Sequence, residues 1–279
     1  MGMLLNAVIL ILQETLEAAL LISVLAAMCS MRRQRFGWLA LGMLGGVILA
    51  SIYAAKLQVV SEWFDYVGQE VVNALLQGLI AFLIVIFFCL ISPRRDQKPG
   101  LESRPGKGSS GQPGLMVAAA IIMLAITREG SEIVLYLGGL MQQQEHLQAV
   151  LMGAILGFGI GLSIGFLLFY GLMGLRSGWG ERAATFLLAL FAGNMLAQAV
   201  MQLTQADWIP ATQPLWDSSN WLPEQSIFGQ LLYALVGYES TPSLWHVLAY
   251  LVGFGAVIVV VMLIRPKIKP AGTAPSAGA

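Results

Sequence analysis

The sequence predicts an all-α polytopic membrane protein with seven transmembrane helices, built as a 3+3 inverted repeat followed by one C-terminal helix. Three observations lead there. Of 279 residues, 57% are hydrophobic and only 11% charged, whereas a soluble domain carries about 25% charged residues. Seven apolar segments, at roughly 4–28, 37–55, 71–92, 115–140, 148–173, 183–203 and 245–264, are each long enough to cross a hydrocarbon core of about 30 Å. The first and fourth carry the same acidic pattern, and because three spans separate them the two units run through the membrane in opposite directions.

Span 1 lacks a basic leader, and Glu14 and Glu17 interrupt what would be a signal-peptide core, so this helix is expected to be retained. Arg32, Arg33 and Arg35 follow it. Between spans 2 and 3 lie Lys56 and the acids Glu62, Asp65 and Glu70. Segment 93–114, rich in Pro and Gly and bearing Arg94, Arg95, Lys98, Arg104 and Lys107, reads as a flexible cytoplasmic linker between repeats 1–92 and 115–203. Glu145 sits between spans 4 and 5. In span 5, Gly153, Gly157, Gly161 and Gly165 recur every four residues, a spacing that permits close helix contact. Arg176 and Arg182 come next. Connection 204–244 holds Asp207, Asp217, Glu224 and Glu239; within it, Ser226 to Tyr238 is too short to span and suits an interfacial or re-entrant helix. The seventh span, with Arg265, Lys267 and Lys269, belongs to 245–269, and the low-complexity tail 270–279 is expected to be disordered.

Thirteen Lys and Arg fall in one set of alternate connections and only Lys56 in the other, with Arg128 left inside span 4. Short basic loops stay cytoplasmic. The expected topology is therefore N-terminus outside and C-terminus cytoplasmic in the cytoplasmic (inner) membrane, with an acidic outer face that attracts cations. A formal net charge of zero gives no bulk attraction for nucleic acid. Cys29 and Cys89 show no ligand spacing and read as small buried apolar residues. The two histidines, His146 and His246, form no Glu-x-x-His motif, so no di-iron oxidase is expected. The thirteen Met residues show no ligand-like clustering, which argues against a copper(I) carrier. No nucleotide-binding loop occurs, leaving membrane potential, a proton gradient or a partner as energy source.

The chemistry lies with four carboxylates inside the spans: Glu14 and Glu17, Glu129 and Glu132. At about 1.5 Å per residue, Glu14 lies near the midplane. Spacing i, i+3 puts each pair on one helix face. An ionised residue at the bilayer centre costs about 2.5–3.5 kcal/mol, so four together cost about 10 kcal/mol or more. Arg128 alone cannot neutralise them. A multivalent hard cation suits carboxylate oxygens and can. Ferric iron would cancel the formal charge of −3 left by four glutamates and Arg128, and ferrous iron would leave −1. Iron, lead, manganese and a proton relay all remain open on this count. Glu70, Asn73 and Gln77 on span 3, Asn194, Gln198 and Gln202 on span 6, and Asp217 are candidates for a path from outside.

Arg128-Glu129-Gly130-Ser131-Glu132 matches in full the Arg-Glu-x-x-Glu signature of the oxidase-dependent iron transporters, or high-affinity iron permeases, and Gln13-Glu14-Thr15-Leu16-Glu17 matches it in part. The chain resembles this family over nearly its whole length. Leu16-Glu17-Ala18-Ala19-Leu20, Trp216-Asp217-Ser218-Ser219, Ser226-Ile227-Phe228-Gly229, and Gly237-Tyr238 followed by Pro242-Ser243 look like its bacterial members. The resemblance implies iron import as the activity, no enzyme and no resident cofactor. It implies that the four glutamates bind iron in transit beside Arg128 and Gln13, and that an extracytoplasmic partner supplies or oxidises the iron. Gln13 stands where the family has Arg, and Gln77-Gly78 where bacterial members carry Glu-Gly. The two departures are expected to compensate, with Gln77 facing Gln13.

Overall fold

The structure is a computed structural model describing residues 2–34, 36–91, 112–141, 147–176, 178–224 and 226–264. Most of the 93–114 linker, residues 265–279 with the last basic cluster and the tail, and Glu145 and His146 lie outside the described residues. The chain order is α1 (Gly2–Met31), α2 (Gly37–Ser61), α3 (Trp63–Tyr66), α4 (Gly68–Ile91), α5 (Gln112–Met141), α6 (Leu147–Gly174), α7 (Trp179–Gln205), α8 (Ile227–Val236) and α9 (Leu244–Ile264). Seven of these are long and apolar enough to cross a membrane. Several outrun their apolar segments: α2 continues past Lys56 and Gln58 to Ser61, and α4 begins before Glu70. Hydropathy registers only the hydrocarbon core, whereas helical hydrogen bonding continues where polar side chains reach the interface.

α1 packs along α6, α2 along α5, and α7 against both α4 and α9. The glycines explain the first pair. A Cβ on Gly157 would stand 2.5 Å from the Val8 carbonyl oxygen and 2.9 Å from the Leu12 nitrogen, so the two backbones touch there. α2 approaches α5 the same way, with a Cβ on Gly42 falling 2.8 Å from the Ala119 carbonyl oxygen. Between lipid-immersed helices, where burial of apolar surface supplies no preference for helix over lipid, such close dispersion contact is the main attraction. Leu44, Leu167 and Leu263 stay exposed on the perimeter, as lipid-facing residues should. Cys89 is also exposed, against the expectation that both cysteines are buried, because it sits on the outer face of α4; Cys29 is buried.

The two ends of the bundle differ. At the acidic end, where few Lys or Arg lie, residues 206–243 fold on themselves: Leu215 and Ser218 donate their N–H groups to the carbonyls of Pro242 and Ser240, each at 2.9 Å. α8 is the short helix expected between Ser226 and Tyr238. The Ser226 hydroxyl accepts from the Gly229 N–H at 3.0 Å, and Gly237, at φ +69°, ends the helix in the left-handed conformation glycine tolerates. α8 rests on α1 and α7. Toward the basic end the interior is apolar, filled by Leu20, Leu21, Leu25, Ile84, Phe87, Ile121, Leu188 and Phe191.

Candidate functional site: a buried carboxylate centre

Glu14 on α1 and Glu129 on α5 are buried, and Glu132, one turn further along α5, is the member that reaches a cavity. One carboxylate oxygen from each of these three lies within 4.8 Å of the others, close enough to share one cation. Glu14 Oε2 and Glu129 Oε2 are buried with no hydrogen-bond partner. Buried acceptors left unpaired are costly, and a cation or a proton between these carboxylates would satisfy them.

Glu17 is placed differently. Its Oε2 accepts from Arg128 Nη1 at 3.1 Å and from Gln198 Nε2 at 3.4 Å. Arg128 Nη1 also donates to Glu129 Oε1, and its Nε lies 3.6 Å from Glu132 Oε1. Glu14, Glu129 and Glu132 thus face one another, Glu17 stands outside that group, and Arg128 bridges Glu17 to Glu129. Helix geometry alone put Glu14 and Glu17 on one face; α5 and α7 decide what each meets.

The polar residues of α4 and α7 separate likewise. Glu70, Asn73 and Gln202 line, with Glu132 and Tyr136, a cleft of about 410 Å³ that opens at the acidic end. Asn73 Nδ2 donates to Glu132 Oε1 at 3.2 Å and its Oδ1 accepts from the Tyr53 hydroxyl at 3.3 Å. Deeper, Gln77 Nε2 donates to Gln198 Oε1 at 2.7 Å, Gln198 Nε2 is also 3.3 Å from Asn194 Oδ1, and Asn194 Nδ2 donates to the Tyr233 carbonyl at 3.4 Å. These amides tie α4, α7 and α8 to Glu17.

Two residues named from the sequence do not meet the carboxylates. Gln13 lines a small apolar cleft with Leu12, Leu16, Ile160, Ile164 and Gln230, while Gln77 bonds Gln198. The expected Gln13–Gln77 contact is therefore absent: Gln13 lies against α6 and α8, whereas Gln77 of α4 is buried against Gln198 of α7. Asp217 lies exposed in the 206–226 connection, where the Ser219 hydroxyl and N–H both donate to it and hold its carboxyl below the usual range. Two aromatic residues went unnoticed in the sequence. Tyr53 anchors Asn73, and Tyr233 of α8 lies within electrostatic reach of Glu17, Arg128, Glu14 and Glu129. Neither sits in a motif, and no spacing in the sequence points to them. His246 is buried with Nδ1 2.8 Å from Glu239 Oε2, away from the centre.

The model of the iron permease FTR1 family matches residues 4–266. The chain belongs to that family. It is accordingly a multi-pass membrane protein that transports iron, not an enzyme. It is 28% identical over 253 residues to the ferrous iron permease EfeU of Escherichia coli O6:H1 (strain CFT073), covering 88% of this chain and 90% of that protein. The Shigella sonnei (strain Ss046) protein of the same name is 27% identical, with the same coverage, and the Yersinia pestis one is 26% identical, covering 86% of each chain. No solved structure matches.

Proposed function

We propose that this permease carries iron inward across the cytoplasmic membrane through a midplane station made by Glu14, Glu129 and Glu132. The observation that carries the reading is the convergence of three carboxylates, two of them buried, on a point with Arg128 as the one cation beside them. Arg128 is shared between Glu17 and Glu129, and the four glutamates with Arg128 carry a formal charge of −3. A ferric ion balances it, and a ferrous ion, the cargo in the relatives' name, leaves −1. The cleft at the acidic end supplies a polar approach through Glu70, Asn73 and Gln202 to Glu132. The deeper Gln77, Asn194 and Gln198 hold Glu17 rather than line that approach.

Positive-inside sorting supports placing the basic end in the cytoplasm, with the acidic end toward the iron supply. The reading includes an extracytoplasmic iron-delivering or iron-oxidising partner, which the acidic connection with its exposed Trp208, Trp216 and Trp221 suits. Two units, 1–92 and 115–203, related by a twofold axis in the membrane plane are supported by the packing: exchanging the first, second and third spans of one unit with those of the other turns the α1–α6 contact into the α5–α2 contact.

Uptake of radiolabelled iron into vesicles holding the wild-type, Glu129→Gln and Glu17→Gln proteins at matched abundance tests the station. Glu129→Gln removes a ligand and should abolish uptake. Glu17→Gln should lower the rate while leaving the half-saturating iron concentration within about threefold, since Gln198 and Arg128 rather than the ion are its partners. Equal and complete loss in both, or competition by manganese or lead as effective as by unlabelled iron, would refute the reading.

A further inference from the structure

The cleft opens at the acidic end and stops at the glutamates. A second repeated signature bears on this. A shift of 115 residues carries Glu14 and Glu17 onto Glu129 and Glu132, and a shift of 121 carries Asn73 and Gln77 on α4 onto Asn194 and Gln198 on α7. The two Asn-x-x-x-Gln segments meet where Gln77 donates to Gln198, at the seam between the units. They are not used alike. Asn73 donates to Glu132, whereas Asn194 turns to α8 and Gln198 donates to Glu17. The two units therefore hold their glutamates in different arrangements, one facing a cleft and one closed.

The same shifts identify the counterpart of the cleft. Its lining residues Glu70, Leu135, Tyr136, Gln202 and Gln205 correspond to Phe191, Leu20, Leu21, Ala81 and Ile84. All five counterparts are buried, none more than 5% exposed, while Leu190, the counterpart of the further lining residue Gln69, is half-buried. The present cleft lies between the start of α4 and the ends of α5 and α7; its counterpart lies deeper, among the middle turns of α7, α1 and α4. At the basic end beyond that counterpart, Arg32, the first residue after α1, pairs with Glu181 of α7 and donates to the Ile91 carbonyl of α4, so one side chain ties together the three helices that would have to part.

We propose that iron leaves through a second cleft at the basic end, between α1, α4 and α7, which forms along Leu20, Ala81, Ile84 and Phe191 when the Arg32–Glu181 pair parts. This rests on the reading of the glutamate centre as the transport station. Two discrete packings of one seam, each exposing the centre to one end, give alternating access without a continuous pore.

Thiol accessibility tests this without iron, so failed uptake and a wrong exit remain distinguishable. In a Cys29→Ala, Cys89→Ala background, Ala81→Cys reports the proposed exit, Gln202→Cys the present cleft, and Ala118→Cys a buried control outside both. Each is labelled with a membrane-impermeant methanethiosulfonate in right-side-out and inside-out vesicles. With Arg32 and Glu181 intact, Gln202→Cys should react from the acidic end and Ala81→Cys should be protected. Because a partly exposed pair contributes little, adding Glu181→Gln or Arg32→Gln should raise Ala81→Cys labelling from the basic end about threefold to fivefold. Gln202→Cys labelling should fall and Ala118→Cys should not change. Protection of Ala81→Cys in both latch variants, reaction from the acidic end, or an equal rise in Ala118→Cys would overturn the proposal.

Discussion

Replacing Arg128 by Lys keeps the charge and removes the fork. Arg128 Nη1 donates to both Glu17 and Glu129, and Nε lies 3.6 Å from Glu132 without a hydrogen bond, so one planar group on a fixed stem bonds two carboxylates and faces a third. A lysine ammonium is a single point with three donors and a shorter reach, and from the same Cα it cannot occupy both the Nη1 and Nε positions. At least one carboxylate loses its partner. A hydrogen bond to a charged group contributes about 1.5–3 kcal/mol, and about 1.4 kcal/mol is a factor of ten. If that loss falls on the ion-binding arrangement, iron uptake by the Arg128→Lys protein should drop about tenfold to hundredfold at matched abundance. Arg128→Met goes further by leaving Glu17 buried without a cation, a change that costs about 3–5 kcal/mol when one partner of a buried pair is removed. Its yield of folded protein should fall as well. Radiolabelled iron uptake into vesicles, normalised to the amount of protein inserted, is the measurement. Transport by Arg128→Lys within twofold of wild type would refute the geometric role and leave charge alone as the function of this residue.

Gly157→Ala should destabilise the bundle by about 1–3 kcal/mol, the range for overpacking, because its Cβ meets the Val8 backbone; Gly159→Ala, with nothing within 4 Å, is the control. Thermal unfolding in detergent should separate the two, and equal melting temperatures would mean that the α1–α6 seam tolerates the added methyl. Gln13→Arg and Gln77→Glu should act additively on iron uptake, with no rescue in the double variant, since Gln13 lines the small apolar cleft, Gln77 is buried against Gln198, and the two share no partner. Restored uptake in the double variant would show that they communicate after all.

Much of this protein follows from one-dimensional information. Burial in lipid makes apolar length a direct readout of a span, so seven helices were legible, with limits within about four residues except for α2, which runs six residues beyond its apolar segment, as was the short helix after Ser226. Spacing i, i+3 fixed that each glutamate pair shares a helix face, and the glycine spacing of α6 fixed a close-contact ridge, since both depend only on the helical repeat. Which helices meet across those faces was not legible. The rotation of each helix is set by how its ridges seat on its neighbours, and that arrangement decides that Glu14, Glu129 and Glu132 converge while Glu17 turns to Arg128 and Gln198. It also separates Gln13 from Gln77, although a charge count suggests that they compensate, because charge sums carry no direction. The cleft, the tie made by Arg32 and the reach of Tyr233 toward the centre exist only between elements far apart in sequence, and the sequence, which records residue types along one dimension, holds no term for them.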